Sequence, residues 1–86
     1  MHTIEMLEQL TALAGQMGYV IRQEWLGGSG GGACEFGGRR YIFVDLALSA
    51  LEQLEQVAAA LRSDPSLALA KAPLPVMQAL GIRRAA

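Results

Sequence analysis

Seven of the ten glycines in this chain fall between Gly27 and Gly38, directly before its most apolar run. They belong to the stretch LGGSGGGACEFGGRRYIFVD, Leu26 to Asp45. Such a stretch reads either as a phosphate-cradling loop or as a flexible connection between strands. Gly37-Gly38 is a two-residue hairpin signal, with ACEF as the strand before it and RRYIFVD as the strand after it. That turn sets Glu35 opposite Arg40 and Cys34 opposite Tyr41, a chemically sensible ladder. Upstream, YVIRQEW alternates with the two-residue period of a strand. Tyr19, Ile21, Gln23 and Trp25 fall on one face, and Val20, Arg22 and Glu24 on the other.

Helical spacing flanks these strands. Ile4, Leu7, Leu10, Ala14 and Met17 recur at the period of an amphipathic helix, with Thr3 as the expected cap and Gly18 at its end. Ser49 and Glu52 form a capping box, followed by the stripe Leu51, Leu54, Val57, Ala58 and Leu61. Pro65 disfavours helical geometry at Asp64, and Asp64-Pro65 can open a further short helical piece. A last short helix ends at Gly81. The expectation is a single α+β domain over 1–86. Its helices lie at 3–17 and 50–62, its strands at 19–25, 33–36 and 40–45 in an antiparallel sheet, and its short helices at 65–70 and 75–80.

Composition limits the function classes. At 86 residues and 9.2 kDa there is room for one domain, and such a chain buries only about 60–65% of its unfolded surface. Yet 52% of its residues are hydrophobic and 17% charged, against roughly 25% charged in an ordinary domain. That apolar surplus points to association, with a homodimer or a protein partner as its outlet. A net charge of −1 gives no field to gather nucleic acid or anionic lipid. One cysteine fits a reducing compartment, Glu5 and Glu8 interrupt any signal-peptide core, and no apolar run spans a membrane. A cytoplasmic location is expected.

The glycine loop nominally matches G-x-G-x-x-G/A over Gly28, Ser29, Gly30, Gly31, Gly32 and Ala33. That fingerprint leads into a helix whose N-terminus meets the pyrophosphate, whereas here strands lie on both sides. A P-loop lysine is missing, since the first lysine is Lys71. The expectation is a loose connection that brings Trp25 and Ala33 together. Successive glycine amides can still form an anion nest, so Gly28 to Gly32 with Asp45 is the candidate ligand site. Asp45 could act as an acid or base, but more commonly such an aspartate binds nearby backbone amides. Cys34 reads as a small core residue and His2 as a solvated one, so no nucleophile and base pair up. RRYIFVDL matches an RNA-recognition signature at Arg39, Tyr41, Phe43 and Val44 and fails at Arg40, Ile42 and Leu46. The third strand is apolar on both faces, which makes Tyr41, Ile42, Phe43 and Val44 the candidate interface.

The order of elements over Thr3 to Ser63, with YVIRQEWL, the glycine loop, the hairpin ending in YIFVD and a capped helix, resembles the ImmA/IrrE-like zinc peptidase domain. In that family the second helix carries H-E-x-x-H, and the resemblance puts its three functional positions at Ala59, Ala60 and Ser63. None of these can bind a metal or move a proton, so the resemblance implies a scaffold without its metal site. The chain also resembles short bacterial proteins of no assigned activity that share a glycine-rich loop and an FVD-like strand end. The leading expectation is therefore a non-catalytic binding or regulatory module that self-associates, with no metal and no cofactor. A small-anion-binding enzyme or enzyme relic using Gly27 to Gly32 and Asp45 is the alternative, and an RNA-binding sheet surface is another.

Overall fold

The computed structural model describes residues 2–28 and 31–81. Helix α1 (Thr3–Gln16) is followed by strands β1 (Tyr19–Glu24), β2 (Gly32–Phe36) and β3 (Arg39–Asp45). Helix α2 (Ala50–Arg62), a 3-10 turn at Pro65–Leu69 and a short helix α3 (Leu74–Ala79) complete the α+β domain. Among the described residues no helix is long and apolar enough to cross a membrane.

The sheet order is β1-β3-β2. β3 runs parallel to β1, with Ile21 beside Ile42, and antiparallel to β2, with Cys34 beside Tyr41 and Glu35 beside Arg40. The expected hairpin register holds, and Gly37 and Gly38 carry the paired positive φ values, 59° and 77°, of a type I′ turn. The sheet itself is mixed rather than purely antiparallel. β3 is apolar on both faces and takes the central place, where both of its edges are paired. The glycine loop therefore crosses the end of β3 and spans two inter-strand spacings, about 9–10 Å. Trp25 and Ala33 lie on opposite sides of β3 instead of meeting, and Trp25 falls beyond β1 and is 76% exposed.

Both long helices lie on one side of the sheet. Leu10, Leu13 and Ala14 of α1 pack with Val57, Ala58, Ala60 and Leu61 of α2 over Ile42 and Val44. Leu67, Val76 and Leu80 close the lower end of this core. The helical stripes differ from expectation at their first residues, Ile4 and Leu51, which are exposed. Leu13 and Ala60 are buried in addition to the expected residues. His2, and not Thr3, occupies the N-cap position of α1, where it supplies a backbone carbonyl but no side-chain cap. The Ser49–Glu52 capping box of α2 forms in both directions, at 3.2 and 3.0 Å.

A polar latch ties the start of β1 and β3 to the turn after α2. The Arg40 guanidinium lies 4.1 Å over the Tyr19 ring and pairs with Asp64, whose Oδ2 also accepts from the Tyr19 hydroxyl at 2.7 Å. Asp64 Oδ1 accepts from the Ser66 amide and hydroxyl, both at 2.8 Å, and so caps the 3-10 turn. At the same end of α2, Arg62 donates to the last carbonyls of α3, at Ala79 and Leu80.

Candidate functional site

Two of the sequence features that carry chemistry meet at the C-terminal end of β3, and they satisfy one another. Asp45 is fully buried. Its Oδ1 accepts from the amides of Leu26 (3.0 Å) and Ala47 (2.9 Å), and its Oδ2 from the amide of Gly28 (2.7 Å). A buried carboxylate needs such donors, and charge-assisted bonds of this kind are the strong ones. The side chain thus ties the start of the loop to the end of β3. Of the loop amides, those of Leu26 and Gly28 are engaged by the protein's own anion.

The far end of the loop is held sterically. β2 pairs with β3 as far as Gly32 and Phe43, and beyond that pair the Asp45 amide donates to Gln56 Oε1 at 3.2 Å. Gly31, at φ 151°, lies against this glutamine. A Cβ there would sit 2.3 Å from Gln56 Nε2 and 2.9 Å from the Phe43 carbonyl oxygen. Gly27 and Gly28 also require positive φ, at 71° and 79°. The described flanks of the connection are thus held by Asp45 at Leu26 and Gly28 and by close packing at Gly31. Of the candidate ligand residues, Ser29 and Gly30 lie outside the described residues.

Cys34 stands apart from Asp45. It is exposed, and its pairing with Tyr41 places it on the sheet face turned away from the helices, which corrects the expectation of a core residue. The candidate interface on β3 divides by strand alternation. Ile42 and Val44 point into the core, at 0% and 1% exposure, and cannot form a contact surface in the folded chain. Tyr41 and Phe43 point the other way.

That outer face carries the most distinctive surface of the molecule. Register places Val20, Arg22 and Glu24 of β1, Tyr41 and Phe43 of β3, and Cys34 and Phe36 of β2 on it together. Phe36, Tyr41 and Phe43 form a continuous aromatic row, with ring centroids 6.4 and 6.0 Å apart. Phe36 is 73% exposed. Arg22, Cys34, Glu35 and the three aromatics line a shallow groove of about 390 Å³. The β1 half of the face is polar, where Arg22 pairs with Glu24 at 2.9 Å. Its apolar half runs from β3 to the free edge of β2.

A second groove lies between α2 and the start of β2, lined by Gly31, Ala33, Gln56, Ala59, Ala60 and Ser63. Ala60 is buried, and the Ser63 hydroxyl donates back to the Ala59 carbonyl at 3.1 Å. Among the described residues no three His, Cys, Asp or Glu side chains gather. No protein-family model, no curated protein and no solved structure matches the chain.

Proposed function

We propose that the chain is a non-catalytic binding module that associates with a second copy of itself through the uncovered side of its sheet. The observation that carries this reading is the row Phe36, Tyr41 and Phe43, an aromatic surface opposite the core with no described element over it. Lone exposed apolar residues are ordinary, but a contiguous patch rimmed by polar groups is the mark of an interaction surface. The domain is also small enough that burying further apolar area by association adds substantially to its stability. The groups that an enzyme would need are dispersed: Asp45 is buried against backbone amides, and Cys34 faces the opposite side of the sheet from the core. Phosphate attraction on the outer face is weak, because Arg22 is committed to Glu24 and the net charge is −1.

Light scattering over a dilution series tests this reading. The wild-type mass is expected to be twice 9.2 kDa when concentrated and to fall toward 9.2 kDa on dilution. Phe36→Asp should stay monomeric with an unchanged circular dichroism spectrum, since the replaced ring contributes nothing to the core. A wild-type mass of 9.2 kDa at every concentration would refute the proposal.

A further inference from the structure

The geometry points to a specific mode of self-association, resting on the reading above: β2 pairs with β2 of a second copy, antiparallel, in a register centred on Cys34. β2 is an edge strand. The two-residue turn makes Phe36 and Arg39 a hydrogen-bonded pair, and alternation along the ladder makes Cys34–Tyr41 and Gly32–Phe43 the next such pairs. The amides and carbonyls of Ala33 and Glu35 therefore point away from β3, out of the edge. Among the described residues no backbone group of another element bonds them. Natural edge strands are usually blunted by lysine, proline, a bulge or a covering element. Gly32–Phe36 carries no lysine, no proline and no bulge, and its one charge, Glu35, faces Arg40.

Three two-fold registers would join outward-facing groups to outward-facing groups. A centre on Glu35 would set that carboxylate directly against its own copy, which is unfavourable. A centre on Ala33 would draw Gly31 into the ladder, but Gly31 is packed on Gln56 and lies outside the strand. A centre on Cys34 keeps every pair within Gly32–Phe36. Ala33 then exchanges both backbone bonds with the second copy's Glu35, and Glu35 with the second copy's Ala33. On the outer face the second copy's Phe36 falls opposite Gly32, which has no side chain and no neighbour within 4 Å of where a Cβ would stand. That ring comes to rest in the row of Phe43, the strand partner of Gly32. The apolar halves of the two outer faces join across the two-fold axis, and the charged β1 halves lie outermost.

In this register the two Cys34 residues form a non-hydrogen-bonded antiparallel pair, with Cα atoms about 4.5 Å apart. That spacing is inside the range of about 4.4–6.8 Å that a disulfide accepts. Diamide therefore provides the test: the two thiols give up two protons and two electrons, diamide is reduced to its hydrazine, and a disulfide joins the chains. Oxidation of the wild type is compared with a Val20→Cys, Cys34→Ser chain, whose thiol lies on the same face at the far edge. The mass of each reduced sample is measured in parallel. The inference expects a dimeric mass and Cys34 cross-linking faster than the control by on the order of a hundredfold, the advantage of a preformed pair. A dimeric mass with cross-linking no faster than the control overturns the edge pairing and leaves self-association standing. A monomeric mass overturns both.

Discussion

Asp45 holds the start of the glycine loop from inside the fold, through the amides of Leu26 and Gly28. Replacing it with Asn retains the shape but sets an amide N–H group against a backbone donor, at Gly28 or at Leu26 and Ala47. The expected loss is about 1.5–3 kcal/mol, the range for hydrogen bonds to charged groups. In a domain of this size each kcal/mol lowers the melting temperature by about 4–8 °C, so thermal unfolding reads it directly. A melting temperature equal to wild type would show that the carboxylate is not what holds the crossing. Two glycines supply a paired test. Gly31→Ala should destabilise by about 1–3 kcal/mol, because the backbone stays at positive φ and Gln56 must move. Gly15→Ala, in α1 with nothing within 4 Å, should instead stabilise by about 0.5–1 kcal/mol. Urea unfolding of both variants checks the sign of each. The sequence alone marks Asp45 as a binder of nearby backbone amides such as Ala47, but it does not point to Leu26 and Gly28, which lie 19 and 17 positions away in the chain.

Among the elements, those defined by local chemistry are legible in the sequence. The Ser49–Glu52 box fixes the start of α2, Gly18 at φ 95° follows the end of α1, and Gly37-Gly38 sets the β2–β3 register. The order of strands is not legible in the same way, because a seven-residue glycine-rich connection can join neighbours or cross a third strand. The signal that could have decided it is β3 itself, a strand apolar on both faces and hence suited to the centre. The Tyr19–Arg40–Asp64 latch also joins elements far apart in sequence. The Tyr19 hydroxyl, followed by the Ser66 amide, lowers the Asp64 pKa to about 2. A carboxyl whose folded pKa is depressed contributes stability above its unfolded pKa, near 3.8, and loses it as the pH falls toward 2. Wild type should therefore lose stability between about pH 4 and pH 2 more steeply than Asp64→Asn. Parallel acid limbs for the two proteins in denaturant titrations would show that the latch contributes nothing.

On the scale of the whole molecule, two helices and a three-stranded sheet give one buried face and one open one. The sequence shows a strand that is apolar on both sides, but it cannot say which side the helices cover. That choice is made by packing, since Ile42 and Val44 fit between α1 and α2, leaving the bulkier Tyr41 and Phe43 outside. The apolar surplus of the composition thus has a place, on the outer half of the sheet from β3 to the edge of β2. A second copy is expected to extend this surface along the edge of β2, with its Phe36 entering the row of Phe43. Nuclear magnetic resonance on an equal mixture of isotope-labelled and unlabelled chains, filtered for contacts between copies, tests it most directly. Contacts between copies are expected at Cys34, Phe36 and Phe43, with none at the core residues Leu10 and Val57. A sample tumbling as a 9.2 kDa particle with no contacts between copies would contradict it.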